Sequence, residues 1–258
     1  MPALRTITVT RYVTPLREGG SLPAIVDADD GGLYVLKFRG AGQGARALIA
    51  ELVSGELARA LGLPVPEIVF AQLDRDLART EPDPEIHQLI YDSAGLNLAL
   101  DYLPGSVSYD PAVHAIPAGL ASRIVWLDAF VSNVDRTPRN TNMLMWHRAP
   151  WLIDHGATLY FHHTPGWQED ASRAHAAFPM IKDHVLLRAA SELRAVDEAM
   201  ASALTPDVID AVLAHVPDAW LEERASGDAA AMRAAYRQYL LARLESPRAF
   251  VEEAVRVR

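Results

Sequence analysis

The sequence predicts an α+β protein of two lobes sharing a cleft: a mostly β N-terminal lobe over residues 1–103 and a mostly α-helical C-terminal lobe over 104–258. Three observations carry this expectation. Up to Pro104-Gly105 the chain alternates strand patterns with one long helical stretch. From about residue 168 it is rich in Ala, Leu, Arg and Glu. Between these regions lies a polar loop, "NVDRTPRNTN", set among apolar runs. A chain of 258 residues, half of them hydrophobic, is long enough for one large domain or for two lobes.

The elements follow in order. "ITVTRYV", "LPAIVDA" and "LYVLKF" are β-branched and alternating, and "DADDGG" joins the last two as a hairpin turn. "ARALIAELVSGELARALG" reads as a helix with Leu48, Leu52, Leu57 and Leu61 on its stripe, ended by Gly62 and Pro64. "EIVFAQL" is a further strand, "RDLARTEPDPEIHQ" a proline-broken surface excursion, and "LNLALDYLPGS" a strand that stops at Pro104. Beyond the boundary, "AGLASRIVWLDAFVSN" is a helix burying Ile124, Leu127 and Val131. "NMLMW" and "WLIDH" are short strands, and the rest is helical, punctuated at Pro179, Pro206, Pro217 and Pro247.

Composition excludes several classes. A formal charge of -9 argues against broad binding to nucleic acid. No apolar run has the length of a membrane span, no signal peptide is visible, and cysteine is absent, so the expected location is cytoplasmic. Lysine occurs twice, at Lys37 and Lys182, in a chain that otherwise uses arginine. Lys182 reads as a surface residue. Lys37 suggests a compact ammonium needed in a tight place.

The polar loop carries the chemistry. Phosphoryl transfer asks a protein to position groups and offset charge. Asp135 would orient a hydroxyl and accept its proton, and Asn140 and Asp154 would hold magnesium, which accepts one carboxylate and one amide and keeps several waters. Arg136 or Arg139 would counter phosphate charge or pair with Asp135. Lys37 shares a strand face with Val35, opposite Leu36 and Phe38, and would reach the phosphates. Glu51 and Glu56 are the candidates to hold its stem, with Glu56 also readable as solvated. Gly19, Gly20 and Ser21 in "REGGSLP" would approach phosphate through backbone N–H groups. Asp101, Tyr102 and Leu103 would meet an adenine edge.

The order of strand lysine, "AELVSGELARALGLPVPE", "NVDRTPRNTNML" and "LIDHG" resembles the HipA-like kinase family over roughly residues 6–165. HipA-like proteins are distant relatives of the phosphoinositide kinases with a protein-kinase-like fold. The resemblance implies Asp135 as the catalytic aspartate, Asn140 and Asp154 as magnesium ligands, Lys37 as the ATP-binding lysine and Glu51 as its helix glutamate. The expected activity is ATP- and Mg-dependent transfer to a hydroxyl acceptor, with a protein Ser/Thr favoured. HipA toxins are longer and carry an additional N-terminal segment not seen here, and the glycine loop is not an evident match. Three alternatives stand beside this reading: a small-molecule or lipid kinase, an inactive ATP-binding module of the same fold, and a metal protein using His155, His162, His163 and Asp154.

Overall fold

The computed structural model describes residues 3–16, 22–222 and 228–258. Five strands, β1 (Thr6–Pro15), β2 (Ala24–Ala28), β3 (Leu33–Lys37), β4 (Ile68–Leu73) and β5 (Gly95–Asp101), close into a barrel in the order β1-β2-β3-β5-β4. The pairings are antiparallel except β1 with β4, which run parallel. Side-chain alternation sorts the strand faces. Leu36 and Phe38 join Ile7, Val26 and Val69 in the barrel core, whereas Val35 and Lys37 line a cavity on the other face. The β2–β3 hairpin turns through Gly31 at φ +80°, a conformation that suits glycine.

Helix α1 (Ala45–Ala60) buries residues on every side rather than on one stripe, because it packs against both β4–β5 and the later helices. Glycine at 55 permits its approach to the sheet: a Cβ there would lie 2.4 Å from Ile68 Cδ1. Gly62, at φ +67°, follows the helix end as expected.

The stretch expected to be a surface excursion is ordered instead. It forms a 3₁₀ turn, Arg75–Thr80, and helix α2 (Pro84–Asp92). Asp83 caps α2 by accepting from the Glu85 N–H, and Pro84 takes the first turn. A proline read as a breaker is therefore a helix start, and Ala78, Ile86 and Ile90 bury against the barrel core.

After β5 comes a small sheet of β6 (Val107–Ser108), β7 (Met143–Trp146) and β8 (Ala149–Leu152); β6 was not expected. Helix α3 (Ala118–Phe130) and the residue after it bury Ile124, Leu127 and Val131 as expected. Between residues 171 and 189 the chain makes 3₁₀ turns rather than the expected helices. Helices α4 (Leu193–Ala203), α5 (Pro206–Ala214), α6 (Asp218–Glu222), α7 (Ala229–Leu244) and α8 (Ala249–Val257) follow. Arg243 on α7 donates to the carbonyls of Ala129 and Phe130 at the end of α3 and to those of Ala174 and Ala176. A buried guanidinium thus satisfies carbonyls that a helix terminus leaves open. Among the described residues, no helix is long and apolar enough to cross a membrane.

Candidate active site

The polar loop hangs on a carboxylate inside α3. Asp128 is fully buried in a mostly apolar helix, a placement that costs several kcal/mol unless the charge is paired. Its Oδ2 accepts from Arg136 Nε at 2.6 Å and from His184 Nε2 at 2.9 Å, and its Oδ1 from Asn133 Nδ2 at 2.8 Å. His184 Nδ1 accepts from the Leu186 N–H, so the Nε2 carries the proton given to Asp128. Burial pushes the Asp128 carboxyl up, but the Arg136 guanidinium and the hydrogen bonds from His184 and Asn133 outweigh it and hold it well below the usual carboxylate range. Arg136 is 1% exposed and also donates through Nη1 to the carbonyl of Asn142. It neither pairs with Asp135 nor is open to a phosphate, which corrects the role expected for it. A guanidinium with several donors can hold a buried carboxylate and a backbone carbonyl at once.

This cluster fixes Asp135. Its N–H donates to Asn133 Oδ1 at 3.0 Å. Its Oδ2 accepts from Asn140 Nδ2 at 2.7 Å and from Asn142 Nδ2 at 3.2 Å. A carboxylate offers only acceptors, so Asn140 must turn its nitrogen to Asp135 and keep its oxygen on the other branch. Asn142, at φ +45°, also accepts the Ile153 N–H at 3.1 Å. One side chain and its backbone therefore tie the loop to the segment leading into Asp154, itself left-handed at φ +55°. Such conformations are costly for residues other than glycine and cluster at functional sites.

The second cluster starts from β3. Lys37 is 8% exposed and places Nζ 2.6 Å from Asp154 Oδ1 and 3.6 Å from Glu51 Oε2. Burial lowers its basicity, but the charges of Glu51 and Asp154 together outweigh that, and its pKa is raised. Burial likewise pushes Glu51 up, while Lys37 and His155 pull it further down, so it remains ionised. Glu51 is the glutamate that meets Lys37. Glu56 is not solvated as one reading expected; it is buried beside Arg59 at 3.2 Å, with its carboxyl pushed up by burial.

Lys37, Asp154, Asn140 and Asn142 line one cavity of about 520 Å³ together with Asp101, Tyr102 and Leu103. The size suits a small-molecule ligand. Its apolar end is formed by Val35, Leu100 and Leu103 and its polar end by the loop. The N–H groups of Asp101 and Tyr102 are committed to the carbonyls of Glu67 and Leu33, leaving the Leu103 N–H without a bond among the described residues. Asp135 does not itself line the cavity; it adjoins it through its bonds to Asn140 and Asn142. Two carboxylates, Glu51 and Asp154, face one ammonium here, an excess of negative charge that a divalent cation would balance. Asp154 and the Asn140 carboxamide are hard oxygen donors of the kind magnesium accepts. Gly19, Gly20 and Ser21 lie outside the described residues.

The histidine alternative fails on geometry. His155 and His162 are fully buried, His162 Nδ1 bonds Tyr236, and no group of three or more His, Cys, Asp and Glu fit to hold a metal ion occurs among the described residues. Sequence reasoning missed Asp128 and His184. A signal for Asp128 was present, since a carboxylate within "IVWLDAF" requires a buried partner. For His184, 56 residues away, there was none.

Solved structures place this architecture among kinases. Fifteen chains match, among them the Helicobacter pylori proinflammatory kinase CtkA, at 12% identity and a TM-score of 0.60, covering 99% of this chain and 96% of that one. A Golgi casein kinase is matched at 11% identity and a TM-score of 0.47, over 96% of this chain and 75% of that one. No curated protein matches by sequence. The fold is that of a kinase. The family model described as HipA-like kinase matches residues 9–252, and the chain belongs to that family. The match extends well past the residues 6–165 that carried the resemblance and takes in the helices of the C-terminal half.

Proposed function

We propose that this kinase transfers the γ-phosphate of ATP, bound with magnesium, to a protein serine or threonine hydroxyl. The reading rests above all on one arrangement: a carboxylate, Asp135, held by Asn140, which lines the same cavity as Asp154 and Lys37. The acceptor hydroxyl attacks the γ-phosphorus and gives its proton to Asp135 as the bond to the β–γ bridging oxygen breaks, leaving ADP. Asn140 and Asp154 would hold magnesium, which would offset charge on the phosphates. Lys37 exchanges its bond to Asp154 for the phosphates and stays oriented by Glu51. The adenine lies toward Asp101, Tyr102 and Leu103, where the Leu103 N–H is the donor for its edge. The cleft is then the one between lobes at 1–103 and 104–258, and the protein works in the cytoplasm on ATP and a protein, with no need of nucleic acid or membrane.

The test is calorimetric titration with ATP, with and without magnesium, followed by transfer of labelled phosphate in a lysate of the source organism. Magnesium-dependent binding and label on serine or threonine are expected. Absence of binding sinks the nucleotide assignment, and label confined to small molecules overturns the protein acceptor.

A further inference from the structure

A second cavity, about 890 Å³ in volume, lies beside the first. One wall is Thr137, Pro138 and Arg139 of the polar loop, and the other is the 182–188 segment with Lys182 and Arg188. Arg139 lines both cavities, so the groove opens within two residues of the nucleotide-side ligand Asn140 and within four of Asp135. The walls are built together: Val185 N–H donates to the Arg136 carbonyl at 3.0 Å, and His184 is held on Asp128.

The charge of this groove is opposite to that of the protein. The chain carries -9 overall, yet the groove lining presents Arg139, Lys182 and Arg188 against one carboxylate side chain, Asp183. Arg139, Lys182 and Arg188 are exposed and stand in no ion pair among the described residues, in contrast to Arg5, Arg11, Arg194, Arg237 and Arg256, whose guanidinium groups are matched with carboxylates. Unmatched cations gathered in a groove on an acidic protein raise the local concentration of anionic ligands, and guanidinium groups bind carboxylates in a fixed fork.

We propose that this groove receives the acceptor as an acidic peptide segment, with Asp or Glu near the phosphorylated hydroxyl, so that Lys182 and Arg188 select the substrate and Arg139 leads its hydroxyl toward Asp135. The proposal rests on the kinase reading above and names its substrate class.

Binding separates the two. Fluorescein-labelled decapeptides with one central serine, flanked either by glutamates or by glutamines, are titrated by fluorescence anisotropy at low and high salt. The glutamate peptide is expected to bind at least about tenfold tighter, with the advantage shrinking as salt screens it. The Lys182→Gln/Arg188→Gln double variant, altered at exposed positions and checked for fold by circular dichroism, should lose that preference. Arg148→Gln, which removes an exposed charge outside the groove, should keep it. Equal binding of the two peptides, or a preference that survives the double substitution, overturns the acidic-acceptor proposal. ATP titration of the same samples reports on the kinase reading independently of either result.

Discussion

Two ionic clusters flank the polar loop, and they are built differently. Around Asp128, both carboxylate oxygens are taken up by Arg136, His184 and Asn133, and of the side-chain nitrogens involved only Arg136 Nη2 lacks a partner. Around Lys37, Glu51 Oε1 and His155 Nδ1 face each other at 3.5 Å without a close hydrogen bond, His155 Nε2 is buried without a partner, and the Asp154 side chain is 37% exposed. The first cluster is closed but for that one nitrogen. The second is incomplete and opens onto the cavity that would hold a nucleotide. Buried polar groups are ordinarily satisfied, so the difference separates the part that holds the loop from the part that awaits a ligand. Asp135 sits at the junction, with its backbone bonded toward the first cluster and its carboxylate toward the cavity.

The sharpest break is at that junction. Asp135→Asn removes the proton acceptor while keeping the shape, so turnover should fall about a thousandfold, equivalent to about 4 kcal/mol of barrier, with ATP affinity nearly intact by calorimetry. Turnover at the parent rate would remove Asp135 from the chemistry. The closed cluster is tested next by Asp128→Asn. An amide has one acceptor where the carboxylate had two, so at least one of Arg136, His184 and Asn133 loses its partner and the Arg136 charge is left buried. Breaking a buried pair in this way costs about 3 kcal/mol of stability, readable as a lower urea midpoint. A midpoint equal to the parent's would show that the loop does not depend on this anchor.

Lys37, Asn140 and Asp154, which line the cavity, were already singled out in the sequence. The rarity of lysine singled out Lys37, the spacing of Asp135, Asn140 and Asp154 suited a metal and a base, and strand alternation oriented Lys37 correctly. The sequence could not show the choice of partner among the loop arginines. Arg136 and Arg139 look alike within the loop, and which one turns inward is decided by Asp128 on the preceding helix and by the close packing of "IVWLDAF". Between Glu51 and Glu56 on one helix, the resemblance already favoured Glu51, the one that meets Lys37. Helix α2 was lost because its prolines mark a helix start as readily as a break. The basic groove was hidden most completely, since Arg139 and Lys182 are 43 positions apart in sequence and meet only through the fold.

A smaller effect separates the clusters directly. Lys37→Met should lower turnover about thirtyfold, about 2 kcal/mol of barrier, and cost about 2 kcal/mol of stability, less than Asp128→Asn, because Asp154 is open to water while Glu51 is left buried without its cation and must take up a proton. Kinetics and urea unfolding of the same sample give both numbers. A stability loss as large as that of Asp128→Asn would erase the distinction between the clusters.

The gentlest test is the acid limb of stability. The Asp128 carboxyl, held down by Arg136, His184 and Asn133, binds its proton less readily in the folded chain than in the unfolded one. Its contribution is therefore complete above the unfolded value of about 4 and is lost as pH falls through the folded value, at up to about 1.4 kcal/mol per pH unit. Urea unfolding at several pH values between about 5 and 2 should give a steeper decline for the parent than for Asp128→Asn, which has no such proton to bind. Parallel declines would mean that the buried carboxyl titrates alike in both states, and the closed cluster would then be no tighter, electrostatically, than an exposed one.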